Sequence, residues 1–139
     1  MQIKIIERGD PLVESALALV EREAMLSWVI LFGGDRWHYV EYVAVAMQDD
    51  YPVGLATLAP TDEEGGNGQN LIGLWVAPDY RRQGIGLALV GQIASESWKR
   101  YGKSATMLAI SKAAVGLANR AYQENIPINC KNVGFGELP

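Results

Sequence analysis

The stretch WVAPDYRRQGIGLALV, residues 75–90, sets two adjacent arginines directly before Gly84-Ile85-Gly86 and a run that reads as helix. An apolar strand over 70–77 leads into it and is stopped by Pro78. A strand that passes through a glycine-rich turn into a helix start offers backbone N–H groups with no partner inside the helix, and the helix dipole adds partial positive charge. Gly84 and Gly86 let ligand oxygens reach those N–H groups without meeting a Cβ, and Arg81 and Arg82 add bidentate donors. The corner therefore suits a phosphate or pyrophosphate.

Two familiar phosphate loops do not fit. The pattern GxxxxGK[ST] is absent, and the glycines at 84, 86 and 91 have the wrong spacing for a dinucleotide GxGxxG. The elements around the corner also differ from a doubly wound sheet. Residues 2–7 alternate as a strand, and Asp10-Pro11 opens a helix with Asp as N-cap and Pro in its first turn. Leu12, Val13, Ala16, Leu17 and Val20 give that helix its apolar stripe, and a second short helix falls within 24–32, before Gly33-Gly34.

Residues 39–47 and 53–59 are β-rich, with 48–52 as the turn between them, and a polar, glycine-rich loop at 61–70 precedes the strand at 70–77. The long helix from 84 or 85 to 101 turns Ile85, Leu89, Ile93, Ala94, Trp98 and Tyr101 inward and ends at Gly102. A strand at 104–110, a helix at 112–125 and two short strands around a Cys130-Lys131-Asn132 turn complete the chain. The order β-α-α-β-β-β-α-β-α-β-β describes an α+β fold, a mixed, mostly antiparallel central sheet flanked by helices, in one domain over 1–139.

Composition narrows the function. A formal net charge of −4 disfavours a general nucleic-acid binder. One cysteine, Cys130, and one histidine, His38, leave no intramolecular disulfide and no Cys/His zinc site, so no metal is expected. The most apolar run, 28–32, is too short to cross a bilayer, and 1–10 carries no signal-peptide block; a cytoplasmic protein without membrane partners is expected.

Arg81-Arg82-Gln83-Gly84-Ile85-Gly86, preceded by Val76-Ala77-Pro78-Asp79-Tyr80, resembles the central motif of the GNAT superfamily of N-acetyltransferases. The order of elements from residue 2 to about 125 is similar to that family's as well. The resemblance implies acetyl-CoA as cosubstrate, with its pyrophosphate on the N–H groups of residues 82–87, that is Arg82, Gln83, Gly84, Ile85, Gly86 and Leu87. It also implies a bulged, splayed strand whose backbone at Leu74, Trp75 and Val76 pairs with the pantetheine arm and polarises the acetyl carbonyl.

Transfer to an amine needs a neutral nucleophile and benefits from an acid at the departing thiolate. The family motif Asn-x-x-Ala-x-x-Leu-Tyr implies Tyr122 as that acid, with Ala118 in the alanine place and Val115 where asparagine is expected; a rival register puts Asn119 in the asparagine place, a cofactor-binding position. The family glutamate has no counterpart among Asn70, Leu71, Ile72 and Gly73. Glu41 is the candidate base, on the face of Tyr39 and Val43, while Asp79, Glu63 and Glu64 belong to solvated turns.

The Tyr-x-x-x-Gly-Phe ending of the family is stretched here from Tyr122 to Gly134-Phe135, so that either the last hairpin is compressed into 126–138 or an open sheet edge is covered by a second copy in a homodimer. Three readings stand: an N-acetyltransferase acting on a primary amine, a non-catalytic acyl-CoA-binding module, and an unrelated phosphate binder using the same corner.

Overall fold

The computed structural model describes residues 1–23, 39–60, 69–109 and 112–132. Six strands form one mixed sheet in the order of the chain: β1 (Gln2–Glu7), β2 (Tyr42–Gln48), β3 (Tyr51–Pro60), β4 (Gln69–Val76), β5 (Ala105–Ala109) and β6 (Ile128–Asn132). The β1/β2, β2/β3 and β3/β4 pairings are antiparallel, whereas β4/β5 and β5/β6 are parallel. The mixed, mostly antiparallel sheet read from the sequence is the sheet observed. The helix expected within 24–32 lies outside the described residues.

Strand alternation feeds two separate cores. Val43, Val45 and Met47 of β2 join Leu55 and Trp75 under α1 (Pro11–Glu23), which contributes Val13 and Ala16. Asp10 caps this helix, its Oδ1 accepting from the Leu12 N–H at 2.8 Å. On the other face, Ala44, Ala46 and Ala56 lie beneath α2 (Ile85–Tyr101), which presents Ile85, Leu89, Val90 and Ile93. These small residues let α2 sit close to the sheet. A Cβ at Gly54 would stand 3.0 Å from the Trp75 carbonyl and 3.1 Å from Leu89.

Several local expectations change. The β2–β3 turn is two residues, Asp49 and Asp50, both left-handed (φ 50° and 64°), as a tight hairpin requires. Pro52 belongs to β3, opposite Met47 beside a bulge, where its missing N–H is tolerated. Trp98 is 64% exposed instead of buried; Ser97 and Glu96 take the inward positions, satisfied by the Lys103 carbonyl and by Arg100.

Cys130-Lys131-Asn132 is no turn, for all three residues belong to β6 and pair with β5. The chain turns earlier. Helix α3 (Lys112–Gln123) closes at Asn125, left-handed at φ 58°, with the Ile126 N–H reaching back to the Ala121 carbonyl. Residues 133–139, which hold Gly134-Phe135 and the second strand expected in the tail, lie outside the described residues.

Candidate functional site

Helices α2 and α3 both start at the edge of the sheet where β4 and β5 end, and there the two strands part. Their parallel pairing is confined to Leu71 opposite Thr106. Beyond that point β4 continues to Val76 with its β3 side fully paired, Gly54 opposite Val76 and Ala56 opposite Leu74. The Ala77 N–H donates to the Val53 carbonyl at 2.8 Å, which fixes the phase of the ladder. Antiparallel alternation then turns Gly73 and Trp75 towards β3, and turns the N–H and C=O groups of Leu74 and Val76 into the opening towards β5.

The expected bulge is not at Leu74–Val76. The register between β3 and β4 shifts at the other end of β4, where Pro60 faces Gln69 and Ala59 faces Leu71. The opening arises from the divergence of β4 and β5 instead.

A short 3₁₀ turn, Pro78–Tyr80, carries the chain from β4 to the start of α2. Arg82 (φ 63°) and Gly84 (φ 83°) both take left-handed conformations, separated by Gln83. Such alternation curls successive N–H groups into a concave anion-binding surface. For Arg82 this conformation costs about 1–2 kcal/mol, a strain that a functional turn can carry. An added Cβ at Gly84 would meet nothing within 4 Å, so the backbone angle, and not lack of space, calls for glycine there. Arg81 is tethered, its Nε donating to the Val76 carbonyl at 2.8 Å, which holds the guanidinium across the mouth of the opening. The Gln83 amide reaches the Asp79 carbonyl at 3.4 Å.

The result is a cleft of about 890 Å³ that runs between the strands. Its walls are apolar: Ile72, Leu74, Val76, Met107, Leu108 and Leu117. Among the described residues four cations line it, Arg81 and Arg82 from the turn and Lys112 and Arg120 from α3. Trp75, 4% exposed, packs in the core under α1, and its indole N–H has no partner among the described residues. Met107 belongs to the core under α2, so alternation puts Leu108 on the α1 face with Trp75. The cleft thus connects the cationic α2 side with an apolar α1 side.

Of the residues singled out in the sequence, Leu74, Trp75, Val76, Arg81, Arg82, Gly84, Gly86 and Leu87 line this one cleft. Gln83 belongs to the turn, and Ile85 is buried in the core beneath α2. Asn119, Tyr122 and Glu41 are not among the lining residues. Ala113 and Arg120, seven residues apart, share the cleft edge of α3. Tyr122 lies nine residues beyond Ala113, half a turn away in helical phase at about 100° per residue. The amide oxygen of Asn119 is buried without a partner among the described residues.

Glu41 precedes β2, where the alternation expected for it does not hold: Val40 and Val43 both enter the core under α1. Its carboxylate accepts from the Tyr101 hydroxyl at the C-terminal end of α2, and burial together with this carboxylate pushes the Tyr101 phenol up to about 12. Cys130 sits half-buried in β6, with burial raising its thiol, and His38 lies outside the described residues. No group of three metal-ligating side chains occurs among the described residues, and none of the described helices is long and apolar enough to cross a membrane. Lys112 and Arg120 escaped the sequence reading. Their signal was the helical spacing of Lys112, Ala113, Gly116 and Arg120 along one edge of α3.

Residues 13–123 match the acetyltransferase (GNAT) family, and the chain belongs to that family. Among solved structures, an aminoglycoside acetyltransferase from an uncultured soil metagenomic sample is similar at 18% identity with a TM-score of 0.62, covering 99% of this chain and 95% of its own. A possible acetyltransferase from Clostridium difficile 630 is similar at 19% identity with a TM-score of 0.54, covering 100% and 99%. A ribosomal-protein-alanine N-acetyltransferase from Brucella melitensis biovar Abortus 2308 is similar at 19% identity with a TM-score of 0.51, covering 77% and 78%. At these identities the likeness is one of fold. A search of the curated proteins finds no match.

Enzymes of this family use acetyl-CoA, and the cleft fits such a molecule. It offers a concave run of N–H donors with two arginines for a pyrophosphate, and an unpaired strand edge for an amide-bearing arm.

Proposed function

We propose that the chain transfers an acetyl group from acetyl-CoA to a primary amine by direct attack. The observation that carries this reading is the parting of β4 and β5 beside the strained, arginine-flanked start of α2. In it the N–H groups from Arg82 to Leu87 hold the pyrophosphate, with Arg81 and Arg82 supplying charge. The N–H and C=O of Leu74 and the N–H of Val76 pair with the pantetheine amides, since Arg81 already takes the Val76 carbonyl. One of these two N–H groups polarises the acetyl carbonyl.

The amine enters from the α1 face, past Trp75 and Leu108. Among the described residues no carboxylate lines the cleft, and Glu41 is engaged with Tyr101. In this reading the amine is taken up from the small neutral fraction in solution, and the rate rises with pH towards the pKa of the amine, about 10.4 for a lysine-like acceptor.

The departures from the family pattern, no glutamate among Asn70, Leu71, Ile72 and Gly73 and Val115 in the asparagine place, favour a second reading, a non-catalytic acyl-CoA-binding module. Release of free CoA thiol from acetyl-CoA, measured across a panel of primary amines, separates the two. Amine-dependent release is expected. A protein that binds acetyl-CoA but releases no thiol with any amine supports the binding module instead.

A further inference from the structure

We infer that Arg120 stabilises the departing CoA thiolate, so that a fixed positive charge on α3 does what a proton donor would otherwise do. This rests on the acetyltransferase reading. In the transfer the amine nitrogen bonds to the acetyl carbon, the carbon–sulfur bond breaks with its electron pair on sulfur, and the proton shed by the amine passes to water. A thiol titrates near ~8.5, so at neutral pH the released thiolate takes up a proton unless a positive charge beside it stabilises the anion.

Geometry singles out Arg120 for that task. The rim of the cleft holds Arg81 and Arg82 at the start of α2 and Lys112 at the start of α3. Arg120 lies eight residues further along α3, about 12 Å from Lys112 along the helix axis, in the direction of the point where β4 and β5 meet. The other described residues lining it there are Ile72, Leu74, Met107, Gly116 and Leu117, none of which can carry charge. Tyr122 projects from the far flank of the same helix. Among the described residues Arg120 makes no ion pair. A guanidinium keeps its proton at all working pH values and acts by charge and hydrogen bonding alone. Arg120 is itself exposed, so it reaches the sulfur from the solvent side of the apolar wall.

The test follows the ultraviolet absorbance of the thiolate of protein-bound CoA from about pH 6 to about pH 10, in the full-length wild type, Arg120→Ala and Arg120→Lys. Bound CoA in the wild type is expected to titrate about one unit or more below free CoA, as an adjacent opposite charge dictates. Arg120→Ala is expected to return the thiol to its free value while CoA still binds, and Arg120→Lys to keep part of the shift. Binding of phosphate-free pantetheine is measured alongside. A thiol pKa equal in wild type and Arg120→Ala overturns the inference. So does an Arg120→Ala variant that loses affinity for CoA but not for pantetheine, which would make Arg120 a phosphate ligand. No binding of CoA to the wild type would overturn the acetyltransferase reading as well, whereas binding with an unmoved thiol overturns this inference alone.

Discussion

The two ends of α2 are built in opposite ways, although each rests on a left-handed glycine, Gly84 at φ 83° and Gly102 at φ 65°. At the C-terminal end the groups find partners. The Gly102 N–H bonds the Trp98 carbonyl, the Ser97 hydroxyl donates to the Lys103 carbonyl at 2.8 Å, and Tyr101 donates to Glu41. Glu96, 5% exposed, pairs with Arg100 at 2.5 Å, and the guanidinium lies 3.7 Å from the centre of the Tyr42 ring. At the N-terminal end no side chain caps the helix, its first N–H groups face outward, and Arg82 is strained. One end stabilises the fold, and the other is left without a side-chain cap, as the proposed anion site requires. The chain spends stability at one end of a helix and recovers it at the other.

Substitutions at each end should therefore separate binding from stability. The largest effect is expected from Arg81→Ala combined with Gly84→Asp, which removes a guanidinium and sets a carboxylate in the concave turn. Loss of charge-assisted bonds worth about 2–4 kcal/mol lowers acetyl-CoA affinity by roughly a hundredfold or more, while the left-handed aspartate costs the fold only about 1 kcal/mol. Thermal unfolding beside calorimetry checks both halves.

Glu96→Ala should do the reverse. It leaves Arg100 without its carboxylate and opens a small void, lowering stability by about 1 kcal/mol after allowance for the solvent around Arg100, with acetyl-CoA affinity unchanged. A denaturant titration that shows no change in midpoint would remove Glu96 from the stabilising end.

The smallest effect concerns Tyr101. Burial and Glu41 raise its phenol from 10.0 to about 12, so folding favours the neutral form. That contribution is complete below about pH 10 and is lost as the pH rises through the folded value near 12. Tyr101→Phe has no proton to lose. The melting temperature of the wild type should accordingly fall relative to Tyr101→Phe across this alkaline window, and parallel curves would show that the phenol is not held neutral by the fold.

The N-terminal end of α2 was readable because its signals are local: a proline stop, two arginines and glycines at 84 and 86. The positions of β1 to β5 along the chain followed from alternation and turn residues. What escaped depends on phase and on distant partners. Ser97 and Glu96 look like surface residues until Lys103 and Arg100 satisfy them, and that displaces Trp98 to the exterior. Tyr122 stands in a plausible neighbourhood along the chain, yet half a helical turn from the cleft edge occupied by Arg120. An asparagine at 125 does the work of a helix-ending glycine, so the helix stops two residues before its expected end, and the polar Cys-Lys-Asn sequence imitated a turn inside a strand. Glu41 sits just before β2, where strand periodicity gives no guidance.

The central claim is that the start of α2 holds the pyrophosphate of acetyl-CoA. Its most direct test is calorimetric titration of acetyl-CoA and of phosphate-free acetyl-pantetheine into the wild type and into Arg81→Ala/Gly84→Asp. Tight binding of acetyl-CoA to the wild type alone, with weak binding of acetyl-pantetheine to both proteins, is the expected result. Equal affinity of the folded double variant and the wild type for acetyl-CoA would contradict the claim.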